Sequence, residues 1–356
     1  MDISLKKEFD SIAQRVLYGF KFIYSDFEPI DSDIVTEQEQ KRLHDLMGQI
    51  IDKLYGTPAL LGLPENPDEA YEWYMVSNQK PVLSAIYLTI YKTLYEFYKF
   101  LYIVALHSEM NGDSLSISNE ILKANKTGFK PIYNKLLNEV GMEAVKDKIG
   151  VSIHTDKNIL AALKLLAVKV HTNINKWTPY ELADFVRCSF NGEKDYLLKR
   201  TENVNGLNGL LMELKTKCLE KGYNQEINLH FTATDLSFTI YFKNDVGGFQ
   251  IGYNSRKYWQ FSFGTINGIG EKAMLEDFDN LSDDMKQHFI SICRPCSGCL
   301  VCTKNGKNKI FTVRVNYAGK DYSLCPSFPC HAWETLDSSL MDILFKYHDL
   351  QIKYKG

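Results

Sequence analysis

Leu5, Phe9, Ile12, Val16, Phe20 and Ile23 recur every three or four residues, the spacing of one face of an α-helix. The same period returns at Leu43, Leu46, Met47, Ile50, Ile51 and Leu54. Ahead of that run, Thr36 and Glu39 fit a capping box, in which the hydroxyl accepts the third amide and the carboxylate reaches back to the cap amide. Gly56-Thr57-Pro58 stops the helix, because proline has no amide to donate and forces the residue before it out of the helical region. A loop at 64–67 and a short helix at 68–76 follow. Residues 81–107 predict the longest helix. Leu83, Ile86, Ile90, Leu94, Phe97, Leu101 and Val104 form one stripe, and Tyr87, Tyr91, Tyr95, Tyr98 and Tyr102 form a second beside it. An apolar arc this wide belongs to the central helix of a bundle. The tyrosine edge, Tyr91 and Tyr95 in particular, is a candidate ligand-binding row; the plainer alternative is core packing with hydroxyls at the rim. After a break at Gly112-Asp113, helices are expected at 132–140, 159–170, 179–188 and 207–220, with Gly222 as a left-handed stop. The 179–188 helix has a strong start in Thr178-Pro179-Tyr180-Glu181.

From Ile227 the period drops from 3.6 to 2. Ile227, Leu229 and Phe231, then Leu236, Phe238, Ile240 and Phe242, then Phe249, Ile251 and Tyr253, then Trp259, Phe261 and Phe263 alternate with polar residues. The turns between them are short, so four antiparallel strands in a meander are predicted, with the 207–220 helix nearest to cover the apolar face. The opposite face would carry Asn228, His230, Ser237, Thr239, Tyr241, Gln250, Tyr258, Gln260 and Ser262, with no carboxylate and no lysine. A face of neutral hydrogen-bonding groups suits a polar ligand or a covering segment, and His230, Tyr241, Tyr258 and Gln260 are its candidate contacts; a plain solvated face is the alternative. Helical segments are expected again near 271–278 and 283–292. The pattern therefore predicts an α+β protein: a helical region over 1–200, an antiparallel sheet domain over 201–292, and a last module over 293–356.

Composition adds two facts. The chain has 356 residues, 45% hydrophobic and 24% charged, which excludes a mainly disordered protein. Residues 82–106 are long enough to span a bilayer, but Lys92, Glu96 and Lys99 sit near the middle, and each costs about 2.5–3.5 kcal/mol there, so a buried helix without membrane contact is expected. No apolar run follows the early Lys6 and Lys7, so a secretory signal is not expected and a cytoplasmic location is. Charge is uneven. Residues 1–150 carry 16 Lys and Arg against 22 Asp and Glu, whereas within 293–324 Arg294, Lys304, Lys307, Lys309, Arg314 and Lys320 face only Asp321. That local surplus is a weak pointer to nucleic acid.

Six of the eight cysteines, Cys293, Cys296, Cys299, Cys302, Cys325 and Cys330, fall in the last module. Cys-x-x-Cys places two thiolates on one tight turn, and a hairpin predicted over 310–324, turning at Ala318-Gly319, would bring Cys325 and Cys330 to the same centre. This is zinc-ribbon logic, four tetrahedral ligands drawn from the six cysteines and the neighbouring His331. In a reducing compartment metal binding is favoured over disulfides. Cys293, Cys296 and Cys299 also share the opening spacing of a 4Fe-4S ferredoxin run, though Cys302 comes too early and lacks the following proline. An iron–sulfur or thiol redox role is thus an alternative to structural zinc.

Over residues 207–356 the chain resembles an uncharacterised cysteine-rich family of bacterial proteins common in clostridia and their relatives. The likeness runs through Glu220-Lys221-Gly222-Tyr223, the meander, the 283–292 helix, the cysteine run, the hairpin with Tyr317 and Tyr322, and a final Leu-rich helix. It implies a bacterial cytosolic protein with a metal-bound cysteine end, and no activity. No phosphate-binding loop, His-Glu-x-x-His or Gly-x-Ser-x-Gly motif occurs, and neither Asp31-Ser-Asp33 nor Asp283-Asp284 has calcium-loop spacing. The expectation is a non-enzymatic protein that binds a small ligand or a partner around a structural zinc site, with nucleic-acid binding through the basic cysteine module as the alternative.

Overall fold

The computed structural model describes residues 12–24, 26–61, 80–172, 179–192, 195–231, 236–245, 247–254, 260–266, 275–292, 313–324, 332–333 and 336–354. The chain is α+β, with its strands paired antiparallel. Helix α1 is Ile12–Ile23, α2 is Glu37–Gly56 and α3 is Lys80–His107. The capping box before α2 is formed as expected: the Thr36 hydroxyl accepts from the Glu39 amide at 3.3 Å, and the Thr36 amide donates to Glu39 Oε2 at 2.8 Å. Leu43, Met47, Ile50, Ile51 and Leu54 are its buried stripe. The fully buried Gln40 uses both ends of its amide on the preceding loop, accepting from the Ile30 amide at 3.1 Å and donating to the Ile30 carbonyl at 2.8 Å. From Ile90 onward α3 is the buried centre of the region, with Leu94, Phe97, Tyr98, Phe100, Leu101, Tyr102, Val104 and Ala105 all in the core. Among the described residues no helix is long and apolar enough to cross a membrane.

The region expected to be wholly helical contains a sheet. Strands β1 (Glu109–Asn111), β2 (Ser114–Ser118), β3 (Glu143–Lys146) and β4 (Gly150–His154) form it in the order β1-β2-β4-β3. Gly112-Asp113, where a break is expected, turns a hairpin, with Gly112 at φ +61°. Gly150 is required by close approach: a Cβ there would lie 2.0 Å from the Ile117 carbonyl oxygen. Between the hairpins stand α4 (Asn119–Ala124) and α5 (Pro131–Asn138). Then come α6 (Lys157–Thr172), α7 (Pro179–Val186), α8 (Tyr196–Asn205) and α9 (Leu210–Glu220). Gly222 ends α9 at φ +78°, as its position predicts.

The meander is as predicted: β5 (Asn224–Phe231), β6 (Leu236–Lys243), β7 (Gly248–Asn254) and β8 (Gln260–Ile266). Beyond them lie a hairpin, β9 (Val313–Tyr317) with β10 (Lys320–Leu324), and a short strand β11 (Ala332–Trp333) that adds to β8. Helices α10 (Asp283–Ile292) and α11 (Ser338–Lys353) complete the fold. The predicted helix at 68–76 lies outside the described residues; of that near 271–278, residues 275–276 are helical and Asp277 turns into a 3-10 turn at Phe278–Asn280, while 271–274 lie outside the described residues.

Leu229, Phe231, Phe238, Ile240, Phe242, Phe249, Ile251 and Tyr253 bury the inner face of the meander. α9 packs against β5, yet the aromatic cover comes from elsewhere. Phe20 and Phe22 of α1 meet Phe231, Phe238 and Tyr253 with ring centroids 5.3, 5.6 and 4.5 Å apart. From the other end of the chain, Phe345 and His348 of α11 meet Phe249 at 5.2 and 5.4 Å. The opposite side of α11 joins a second core, where Tyr347 packs with Phe278, Met285 and Phe289 and with Val315 and Leu324 of the hairpin. Truncating Phe22 to alanine removes a ring that is 1% exposed at this junction. It should cost about 3–5 kcal/mol in urea unfolding; a loss under about 1 kcal/mol would show that α1 does not cover the sheet.

His348 is fully buried, with neither ring nitrogen hydrogen-bonded among the described residues, and His288 is 7% exposed. Burial lowers both imidazoles from 6.5 to about 4. The unfolded chain therefore takes up these protons first. Stability is complete above about pH 6.5 and falls toward pH 4 by about 1.4 kcal/mol per pH unit for each histidine. Urea midpoints at pH 7.5 and pH 5 should show the loss, and His348→Phe should remove about half of it. Equal midpoints would contradict the burial of both rings as neutral groups.

Candidate functional site

All six clustered cysteines (Cys293, Cys296, Cys299, Cys302, Cys325 and Cys330), together with Arg294, His331 and Tyr258, lie outside the described residues. The hairpin between the two cysteine groups is described, and it turns at Ala318-Gly319 as expected. Arg314 and Lys320 are exposed on it. Among the described residues no three His, Cys, Asp or Glu side chains group together so as to hold a metal. The other two cysteines, Cys188 and Cys218, are buried free thiols, and burial raises both above their ordinary pKa, Cys218 to about 12.

The remaining predicted contacts divide between two faces of the meander. His230 is exposed on β5 and Tyr241 is half-buried on β6, both on the outer face, four residue pairs apart in the ladder. Gln260 begins β8 opposite Asn254. This face is not free of charge. Strands β5 and β6 extend further than the alternation suggested, and Glu226 and Lys243 stand at their common end and form an ion pair. Tyr91 and Tyr95 belong to the other side. Tyr91 is 1% exposed beside Phe20, so it is core rather than a ligand edge. Tyr95 is half-buried with its ring edge-on to Phe231 at 5.6 Å.

A different constellation lines a cavity of about 60 Å³ between the segment after α1, the end of α7 and the first turns of α8. Helix α7 ends in a Schellman turn: the Ser189 amide donates to the Asp184 carbonyl at 2.9 Å and the Cys188 amide to Phe185 at 3.1 Å. Cys188 takes the left-handed position, φ +56°, where glycine is usual. The turn places Arg187, 2% exposed, against the cavity. Its Nε donates to Asp184 Oδ1 at 2.8 Å, and its guanidinium carbon lies 3.6 Å from the centre of the Tyr196 ring. Arg200 stands one helical turn beyond Tyr196, over Phe22 at 6.0 Å. Two donors in this wall are buried and have no hydrogen-bond partner among the described residues, the Tyr196 hydroxyl and Arg200 Nε. Burial raises the Tyr196 pKa, so the hydroxyl stays protonated and able to donate.

The wall is held from behind. Asp195, just before α8, pairs with Lys215 and accepts from Gln225 Nε2 at 3.0 Å, while Glu202 accepts the Leu211 amide at 2.9 Å. At the rim, Asn191 donates to Glu28, and the Ser189 hydroxyl accepts the Gly192 amide at 3.0 Å. Arg187, Arg200 and Lys199 line the cavity against the exposed Asp26 and Glu28. Donors at depth and acids at the rim favour an oxyanion bound inside; a volume of 60 Å³ admits one small oxyanion or a few waters. The residues come from segments up to about 175 positions apart, and only the Tyr196–Arg200 spacing of one helical turn is visible in the sequence. Compared with known proteins, the chain matches no family model, no curated protein and no solved structure.

Proposed function

We propose that this protein is a non-enzymatic binding protein that receives an anionic group of a small ligand, a carboxylate or phosphate, in the Arg187–Tyr196–Arg200 cavity, and that its cysteine module holds a structural zinc ion. The observation that carries the first part is the buried Tyr196 hydroxyl, which has no hydrogen-bond partner among the described residues and belongs to a residue in the wall of a cavity that two arginines also line. A buried hydroxyl without a partner costs roughly 1–3 kcal/mol, and an oxyanion would satisfy it with a charge-assisted bond. Binding rather than catalysis fits the thiol that lines the cavity, because burial keeps Cys188 protonated.

Phosphate, sulfate and succinate are the probes. Ten millimolar of an anion bound at about 1 mM should stabilise the protein by about 1.4 kcal/mol in thermal or urea unfolding. Tyr196→Phe keeps the ring under Arg187 and removes only the hydroxyl. The variant should bind the anion roughly tenfold more weakly, yet be about 1 kcal/mol more stable when unliganded. Equal stabilisation of both proteins by anion, or none by any of the three, would sink the assignment.

The zinc reading rests on cysteine spacing, with support from the hairpin that precedes Cys325 in the sequence: its last residue, Leu324, is buried in the second core with Phe289 and Tyr347. Metal analysis should give about one zinc per chain in a colourless protein, with Cys325→Ser/Cys330→Ser losing the ion. Iron with brown colour and visible absorption would replace zinc by an iron–sulfur cluster.

A further inference from the structure

We propose that the lysine-lined groove between α3, α4 and the segment 125–130 binds the backbone and bases of single-stranded nucleic acid. The groove, about 550 Å³, shares no lining residue with the arginine cavity. Lys99, Lys123, Lys126, Lys130 and Lys146 line it, and Glu96 is the sole carboxylate among its lining residues. Glu96 pairs with Lys130, and among the described residues no carboxylate forms an ion pair with the other four ammonium groups of the wall. This surplus stands in the acidic half of the chain, where 16 Lys and Arg are outnumbered by 22 Asp and Glu, so it is a local concentration and not a reflection of overall charge.

The fold builds the surplus deliberately close. Helix α4 ends in a Schellman turn, the Thr127 amide donating to Leu122 at 3.0 Å and the Lys126 amide to Lys123 at 3.0 Å. Lys126 holds the left-handed position, φ +52°, in place of glycine. Its carbonyl then accepts Lys99 Nζ at 3.3 Å, which fixes Lys99 at the groove floor. Burial, with the neighbouring charge of Lys126, lowers the Lys99 pKa, so an arriving phosphate relieves a repulsion already present.

Aromatic rings share the wall. Phe129 is half-buried and braced edge-on against Tyr133 at 6.3 Å and against Phe100 at 6.0 Å, a rigid platform of the kind on which bases stack. A second hollow shares Lys99 and Lys126 and carries the track on to His107 and His171. From Tyr95 to His107, α3 advances about 18 Å, the length of about five stacked nucleotides. Concavity distinguishes the occupant. A duplex receives convex elements into its own grooves, and a membrane surface meets a convex or flat face; a concave basic track with rings suits one strand.

The test is fluorescence anisotropy of the full chain with a labelled fifteen-nucleotide oligothymidylate. Four phosphate contacts predict a log–log salt slope near −3 and a loss of roughly fiftyfold in affinity between 50 and 200 mM salt. Lys123→Ala/Lys126→Ala/Lys146→Ala should flatten the slope by about 2. Phe129→Ala should weaken binding about tenfold at every salt concentration without changing the slope, and Phe129→Tyr should restore it. Circular dichroism of each variant checks that it folds. Absence of binding at 50 mM salt, or lysine variants that bind as tightly as the natural chain, would overturn the proposal. So would capture of polyglutamate or phosphatidylserine vesicles as tight as that of the oligonucleotide.

Discussion

The inner face of the meander must leave water, and the way it does so organises the molecule. Burying a phenylalanine ring is worth roughly 2–3 kcal/mol, and this face presents Phe231, Phe238, Phe242 and Phe249 together with Leu229, Ile240, Ile251 and Tyr253. Its cover is drawn from both ends of the chain, Phe20 and Phe22 from α1 and Phe345 and His348 from α11. Fixing α1 on the sheet also fixes where the chain goes next. Asp26 and Glu28 are carried to the end of α7 and the start of α8, and the arginine cavity is the space left where these segments meet. The cavity is thus a consequence of how the sheet is covered.

Two helices end in left-handed turns that hold Cys188 and Lys126 where glycine would be easier. The strain is about 1–2 kcal/mol at each, and the six-to-one and five-to-two hydrogen bonds of the turns offset it. Each turn delivers a side chain or carbonyl to a candidate site: Arg187 beside Cys188, and the Lys126 carbonyl under Lys99. The two sites use positive charge differently. Arg187 is desolvated, stacked on a ring and paired with Asp184, so it supplies directional donors in a fixed place. The lysines of the groove are mostly exposed and supply a field that salt screens.

Much of the fold was legible because periodicity is a local property. The capping box at Thr36, the length of α3, the alternation of β5 through β7 and the hairpin turning at Gly319 are each written in consecutive residues. The small sheet of β1 to β4 was not read, because strands of three to five residues between glycine turns are too short to set a period against the helices around them. The outer face of the meander was read as uncharged for a related reason. Its alternation becomes apolar only from Ile227, so the ladder of Asn224 to Glu226 with Tyr241 to Lys243, and the ion pair it carries, fell outside the apparent strands.

The sequence by itself determined an α+β chain, the identity of its main helices, the antiparallel meander and a cysteine cluster whose spacing suits a metal. Tertiary structure alone decided that Tyr91 is core, that the sheet is covered from both ends of the chain, and that Arg187, Tyr196 and Arg200 share one wall. The reason is physical. Backbone period and caps depend on neighbours within a turn or two, whereas a buried donor without a partner exists only once segments far apart in the chain have closed around it.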